Sequence, residues 1–248
     1  MDDDALLTVL HESADAVSAV LGGLDDWGLA GTRPGQYHSD LAADAAAVAV
    51  LEGAGLGVLS EESGLHGEER ALLAVLDPVD GSTNASRRIP WYATSICVLD
   101  AAGPRAAVVV NQASGVRYEA TRGGGARRDG RPIRPNGRET LATALVAING
   151  MPPRHLGWRQ FRALGAAALD LCAVADGTVD GYVDCVTNSH GPWDYLGGVL
   201  VCAEAGALVV DAGGQALVAR GHAVRRSPVA AATPALLAEL AAARATFV

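Results

Sequence analysis

Apolar positions along this chain fall into stretches of helical and of strand period, and the switches between them mark its elements. Residues 5–21 read as a helix, and the Ala-rich stretch 39–53 as a second. Gly55–Ser60 reads as a short strand ending at Glu61-Glu62, and the apolar run Leu72–Leu76 as a buried strand that ends in an Asp-Pro turn. Trp91–Leu99, Ala106–Asn111 and Val116–Thr121 read as successive antiparallel strands, separated by the turn signals Ala102-Gly103-Pro104 and Ala113-Ser114-Gly115. Segment 122–137, rich in Gly, Arg and Pro, is a loop or hairpin. A strand near Leu141–Ile148, a helix over Phe161–Ala175 and a strand at Val179–Asp184 follow. Pro192 starts a helix to about Ala205, because Pro is tolerated at the first helical position. A strand at Leu208–Val210 and a helix at Pro234–Arg244 close the chain. This mixed order, with no internal repeat, predicts an α/β layered sandwich in two closely packed halves, 1–140 and 141–248.

Half of the 248 residues are hydrophobic, enough for a sizeable core. The net charge of -9 and the lack of a basic run argue against general nucleic-acid or membrane-surface binding, while a small anion could still be held through metal. Met1-Asp2-Asp3-Asp4 offers no basic leader, and no apolar run approaches the roughly 18 residues of a membrane span. Cys97, Cys172, Cys185 and Cys202 lie far apart without CxxC spacing and read as reduced core thiols of a cytoplasmic protein.

Candidate chemistry concentrates in Asp77-Pro78-Val79-Asp80-Gly81-Ser82-Thr83. Its two carboxylates project from a tight turn, and the Gly-Ser-Thr reads as a helix start capped by Ser or Thr. Hard oxygen ligands for a divalent cation then stand beside N–H groups that favour an anion, as metal-assisted phosphoryl hydrolysis requires. The plainer reading is an Asp-rich turn with an N-cap. Glu61-Glu62 ends its own strand, and strands ending together would let a Glu there share a cation with Asp77; the plainer reading is a solvated acidic turn, which also serves for Glu68-Glu69. Trp193-Asp194 opens an apolar helix, where the macrodipole favours Asp with or without metal. Asp40 and Asp44, one helical turn apart, matter only if Asp40 reaches the Ser82 hydroxyl. His38 and His190 lack a His or Cys partner and read as incidental, since Mg2+ prefers oxygen. No Gly-x-Ser-x-Gly elbow is present, and Gly123-Gly124-Gly125 lacks the strand-then-helix setting of a dinucleotide fingerprint.

Taken in order, three markers resemble the inositol monophosphatase family of metal-dependent, lithium-sensitive phosphatases. They are Ser60-Glu61-Glu62-Ser63, then Asp77-Pro78-Val79-Asp80-Gly81-Ser82-Thr83-Asn84, then Trp193-Asp194 followed by Glu204-Ala205-Gly206. Arg122–Ala126 and Asp129–Ile133 look like the family's Gly-Ala…Asn-Gly-Lys-Pro-Ile hairpin, and Arg162–Ala168 like its helix before the last metal ligand. The resemblance runs over roughly residues 35–214. It implies an α/β/α/β/α sandwich of the inositol monophosphatase/fructose-1,6-bisphosphatase type.

The same resemblance implies metal ligands at Glu61, Asp77, the Val79 carbonyl, Asp80 and Asp194, holding two or three Mg2+ ions. It places phosphate against the N–H groups of Gly81 and Ser82. Ser82, where the family usually has Thr, orients the attacking water, with Asp40 as its acidic partner and Glu61 sharing the catalytic role. Substrate hydroxyls are met near Gly165-Ala166-Ala167 and by Asp184. Three departures stand out. Tyr37 occupies the place of a Thr before Asp40, which leaves Asp44 as an alternative register; the Gly-Ala-Ala segment lacks a hydroxyl; and the loop between Asp184 and Trp193 is longer than usual. The function implied is Mg2+-dependent hydrolysis of a small phosphate monoester, inositol monophosphate first. Histidinol phosphate, a nucleotide 3'-phosphate and fructose 1,6-bisphosphate are alternatives within the same chemistry. A non-catalytic phosphate- or metal-binding regulator is the competing class, which loss of Glu61, Asp77, Asp80 or Asp194 would favour. A homodimer with a small phosphorylated substrate, and without nucleic-acid or membrane partners, is expected.

Overall fold

The structure, a computed structural model, describes residues 1–247. In chain order its elements are α1 (Asp3–Gly22), α2 (His38–Gly53), β1 (Gly57–Ser60), β2 (Gly64–His66), β3 (Leu73–Asp80), α3 (Ser82–Ser86), β4 (Ala93–Asp100), β5 (Gly103–Asn111), β6 (Arg117–Thr121), β7 (Gly125–Arg128) and β8 (Arg131–Pro132). The second half adds a 3-10 turn at Leu141–Thr143, then β9 (Leu145–Asn149), β10 (Gln160–Arg162), α4 (Ala167–Ala175), β11 (Gly181–Asp184), α5 (Pro192–Ala205), β12 (Leu208–Asp211), β13 (Pro228–Ala231) and α6 (Pro234–Arg244).

Local chemistry explains several boundaries. Asp2 caps α1 by accepting the Ala5 N–H at 2.9 Å, and Asp3 and Asp4 fill the first turn, where the helix dipole favours negative charge. Pro192 and Pro234 open α5 and α6, where a missing N–H costs nothing.

Strands β1–β8 form one sheet in the order β2-β1-β3-β4-β5-β6-β7-β8, with β1 and β3 parallel and the other pairs antiparallel. The smaller sheet runs β10-β9-β11-β13-β12. Helices α1 and α2 cover one face of the large sheet, α4 and α5 fill the space between the sheets, and α6 covers the outer face of the small one. The result is the five-layered α/β/α/β/α sandwich. Burial follows the strand period of two. In β3 and β4, Ala74, Leu76, Ile96 and Val98 face α1 and α2, while Leu73, Val75, Cys97 and Leu99 face α4 and α5. A strand buried on both faces reads as a continuous apolar run, which is why Leu72–Leu76 stood out.

Several elements depart from expectation. The helix expected over Phe161–Ala175 starts only at Ala167: residues 160–162 form the edge strand β10, and Gly165 at φ 88° breaks any helix between them. The Asp-Pro turn is instead the bulged end of β3, which continues to Asp80. Helix α3 is capped by Gly81 in the left-handed region, not by Ser or Thr. Strand β13, between β11 and β12, was not expected, because Val229-Ala-Ala-Ala carries little strand signal. Helix α1, with a mean hydropathy of 1.2, is long and apolar enough to cross a bilayer, contrary to the sequence expectation. Its stripe of Leu6, Leu10, Ala14, Val17 and Leu21 is buried in the core it shares with α2 and the large sheet. The four cysteines are buried and unpaired.

Candidate metal centre and active-site cleft

A break in pairing lets β3 aim two carboxylates at one place. Leu73 and Val75 face α4 and α5, so alternation puts Asp77 on that face. The register against β4 then shifts between Asp77 and Asp80. Asp80, which strict alternation would send toward α1 and α2, instead accepts the Ala168 N–H at 2.7 Å from the first turn of α4. Asp77 Oδ1 accepts the Val79 N–H at 3.0 Å, and Thr94 donates to Pro78 O at 2.9 Å, which fixes the bulge around Val79. Parallel to β3, β1 delivers Glu61, whose N–H donates to Leu76 O at 3.1 Å. Helix α5 brings Asp194: Ser95 donates to Trp193 O at 3.2 Å, and Asp194 Oδ2 accepts the Gly191 N–H at 2.6 Å. Carboxylate oxygens of Glu61, Asp77 and Asp194 all lie within 4.8 Å of one another.

Such a group is unfavourable by itself. Two unit charges about 5 Å apart repel by roughly 3 kcal/mol even at an effective dielectric of about 20. A carboxylate in the first turn of a helix gains only about 1 kcal/mol there, so its place at the start of α5 does not offset the crowding of Asp194. Protonation registers the strain. Burial, then the charges of Asp194, Glu62 and Asp80, push Glu61 up to about 9. Burial and Asp194 raise Asp80 to about 7, against the pull of the Ala168 N–H. Asp77, 1% exposed, is held well above the usual carboxylate range by burial and by Glu61, Asp80 and Asp194. Compact, made only of carboxylate oxygen, and with Asp77 buried while Glu61 and Asp194 are half-buried, the donor set fits a hard divalent cation, whose charge would relieve the repulsion.

Beside it lies a cleft of about 270 Å³ lined by Asp40, Glu61, Ser82 and Trp193, with Arg33, His222 and Arg225 at its rim. Larger concavities of about 620 and 630 Å³ contain none of these carboxylates. Two loops distant in sequence converge on the Glu61 carbonyl, His222 Nε2 at 3.0 Å and Arg33 Nη1 at 3.4 Å. Arg33 also pairs with Glu62 at 2.5 Å. The Arg225 guanidinium sits 5.1 Å above the Trp193 ring, and the His222 ring centroid lies 4.8 Å from that of Trp193.

Gly81 is required by its surroundings. At φ 88°, a Cβ there would stand 2.9 Å from Gly165 O and 3.2 Å from Trp91 O. Asn84 clamps the same turn, its Nδ2 donating to Trp91 O and Leu164 O at 2.7 Å each. Asp40 is the third residue of α2; its Oδ2 accepts the Tyr37 N–H at 2.8 Å and its Oδ1 faces Ser39 Oγ at 3.3 Å. Burial raises it to about 6. Tyr37, standing in the Thr position, reaches Thr83 Oγ1 through its hydroxyl at 3.2 Å and ties the start of α2 to the Gly81 turn.

The structure thus brings Glu61, Asp77 and Asp194 together, sets Asp80 against α4, and has both Asp40 and Ser82 lining the cleft, with no hydrogen bond between these two among the described residues. Other expected residues lie elsewhere. Asp44 accepts a hydrogen bond from the Ser60 hydroxyl. Gly165 and Ala166 lead into α4, which Ala167 opens, and the Gly165 carbonyl and Ala166 side chain pack against the Gly81 turn. Asp184 is fully buried, its carboxylate taken up by Asn149, Ser189 and the Val186 N–H. Of the two histidines read as incidental, His38 lies 3.5 Å from Asp26 at the surface, but His190 packs against Asp194. Its spacing of four from Asp194 was the signal available; Arg33, His222 and Arg225 gave none, because only the fold brings them near Glu61.

Comparison with known proteins decides the lineage. The model of the inositol monophosphatase family matches residues 42–247. The chain belongs to the inositol monophosphatase family. It is 33% identical over 256 residues to an inositol-1-monophosphatase of Mesorhizobium japonicum, covering 92% of this chain and 94% of that one. It is 34% identical over 187 residues to the Nus factor SuhB of Escherichia coli K12, covering 69% of each. Among solved structures, an inositol monophosphatase from Anabaena superposes with a TM-score of 0.80 at 27% identity, covering 97% of this chain and 95% of that one.

Within this inositol monophosphatase family chain, the match includes Glu61, Asp77, Asp80, Ser82 and Asp194, whereas Arg33 and Asp40 precede it. The carboxylate cluster therefore falls within the family-model match, and Arg33 and Asp40 lie just ahead of it.

Proposed function

We propose that this chain is a Mg2+-dependent phosphatase that hydrolyses a small phosphate monoester, inositol monophosphate in the first place, to the alcohol and inorganic phosphate. The observation that carries the reading is the convergence of Glu61, Asp77 and Asp194 beside the Gly81 turn. Glu61, Asp77, the Val79 carbonyl, Asp80 and Asp194 would hold the cation, two or three per site. Its chemistry there would be to neutralise phosphate charge and lower the pKa of a water molecule.

The protein's own groups do the remaining work. The Gly81 turn, clamped by Asn84, presents the N–H groups of Gly81 and Ser82 to the phosphate. Asp40, pushed up only to about 6, is an acceptor at neutral pH and can take the Ser82 hydroxyl proton in a hydrogen bond. Ser82 Oγ is then left to accept from the attacking water and hold it in line with the leaving oxygen. Trp193 walls the cleft from one side.

The name of the Mesorhizobium relative supports inositol monophosphate. One observation favours a second reading within the same chemistry. Asp184 is sequestered from the cleft while Arg225 and His222 line it, which suits an alcohol carrying a further negative charge, such as a sugar bisphosphate. Phosphate release measured on inositol 1-phosphate, glycerol 2-phosphate, fructose 1,6-bisphosphate, histidinol phosphate and a nucleotide 3'-phosphate separates these substrates. A flat, negligible response across all of them would favour a non-catalytic binding protein. We extend the proposal to a cytoplasmic homodimer, supported by four buried, unpaired thiols and by the common form of the family; light scattering showing only monomer would contradict the dimer.

A further inference from the structure

Strand β11 ends at Asp184, and residues 185–191 intervene before α5 delivers Asp194. This segment folds back over Asp184. Asp184 Oδ1 accepts from Asn149 Nδ2 at 3.0 Å and from the Val186 N–H at 2.9 Å, and Oδ2 accepts from Ser189 Oγ at 2.7 Å. Its backbone carbonyl accepts from Arg244 Nε of α6 at 2.6 Å. The carboxylate is therefore held from three directions and is fully enclosed.

His190 stands between this fixed carboxylate and Asp194. Its Nε2 lies 2.9 Å from the Tyr182 hydroxyl, 3.2 Å from Asn149 Nδ2 and 3.9 Å from Asp184 Oδ2. On the other edge of the ring, Nδ1 lies 3.4 Å from Asp194 Oδ2. The Gly191 N–H reaches that same oxygen at 2.6 Å. Both contacts fall on Oδ2 and so set the rotation of the Asp194 carboxylate. Outer partners of this kind hold a metal-ligating side chain in its binding orientation, and removing one typically weakens metal affinity by about 10- to 100-fold.

We infer that His190 is a positioning residue for the cation site: through its Nδ1 edge it orients Asp194, while the Tyr182 hydroxyl at 2.9 Å anchors its Nε2 edge and Asp184 lies 3.9 Å behind it. The inference rests on the reading of Asp194 as a cation ligand. It differs from a purely structural role in one respect. A structural role depends on filling the space and satisfying both ring edges, whereas positioning depends on the edge that faces Asp194.

The two edges can be tested separately. His190→Asn retains an amide near the Nδ1 position, His190→Gln places one near Nε2, and His190→Leu retains neither. Mg2+ affinity is read without substrate, from the fluorescence of the neighbouring Trp193, together with the melting temperature of each metal-free protein. The expected result is about tenfold weaker Mg2+ binding for His190→Leu and His190→Gln, with His190→Asn recovering most of the loss even where the three melting temperatures are alike. Equal affinity in all variants, or affinity that simply tracks melting temperature, would overturn the inference. If His190→Leu does not fold, Tyr182→Phe, which removes only the hydroxyl that holds Nε2, reports the same coupling: weaker Mg2+ binding supports it and wild-type binding refutes it. Wild-type protein that binds no Mg2+ at all would instead refute the cation site itself.

Discussion

Asp44 takes the hydrogen bond of the Ser60 hydroxyl, and the same hydroxyl accepts the Glu62 N–H at 3.0 Å. That pair anchors the Glu61-Glu62 turn to α2 and commits Asp44 to holding the turn in place, while Asp40 faces the cleft. The two aspartates should separate by phenotype. Asp40→Asn is expected to lower kcat by at least 100-fold with little change in apparent Mg2+ affinity. Asp44→Ala is expected to lower the melting temperature and raise the Mg2+ requirement, with a smaller effect on kcat at saturating Mg2+. Steady-state kinetics over a Mg2+ series checks both, and the reverse pattern would move the water-orienting role to Asp44.

Gly81→Ala tests the clamped turn. The substitution forces a Cβ toward Gly165 O and Trp91 O in a backbone region that disfavours L-residues by about 1–2 kcal/mol before any clash. A fall in melting temperature with near-complete loss of phosphate release is expected. Wild-type stability would show that the turn is looser than its contacts imply.

The carboxylate cluster predicts a direction for stability against pH. Glu61, Asp80 and Asp40 carry folded-state values of about 9, 7 and 6, all above those of an unfolded chain. A raised folded value means that the folded state retains protons the unfolded state has released, so stability is fully present below the unfolded values and is lost as pH rises through the folded ones. His190 adds to the same trend: burial alone would depress it, but Asp194, Asp184 and Asp80 outweigh burial and hold it up at about 9. Chelator-treated protein should therefore melt at progressively lower temperature from about pH 5 to pH 9, and Mg2+ should raise the melting temperature more at pH 8 than at pH 6. An equal Mg2+ effect at both pH values would argue against a cation held by these carboxylates.

Much of this site was legible because its ligands travel in short motifs. Glu61-Glu62, Asp77–Asn84 and Trp193-Asp194 each sit at the end of an element whose apolar run is easy to read. What escaped depends on registry and distance. Pro78 marks the break in β3, but not that it takes the form of a bulge turning Asp80 to Ala168. Residues 185–191 enclose Asp184, whereas the resemblance implies that it meets substrate hydroxyls. Arg33 and His222 meet at the Glu61 carbonyl from opposite ends of the chain. Gly165 and the Ala-rich β13 defeated local propensity, since the first ends an apparent helix and the second pairs only because β11 and β12 flank it.

Arg225 offers a test of the rim. It rests on Trp193 and donates to the carbonyls of His222 and Val224 at 2.8 Å each, and no ion pair to a carboxylate is formed among the described residues. Arg225→Gln should raise KM for fructose 1,6-bisphosphate several-fold more than for glycerol 2-phosphate if the rim meets a second anionic group. Equal changes for the two esters would assign Arg225 to the reacting phosphate or to packing.

The most direct measurement is phosphate release from inositol 1-phosphate and the other small esters by wild-type protein and by Asp77→Asn, each with chelator and with Mg2+ restored. Asp77 is buried beside Glu61 and Asp194, and its amide would remove one charge from the group with almost no change of shape. The account predicts turnover of at least one ester by wild type that vanishes with chelator and returns with Mg2+, and a loss of orders of magnitude in Asp77→Asn under all conditions. Full turnover in metal-free buffer, or an Asp77→Asn protein as active as wild type, would contradict it.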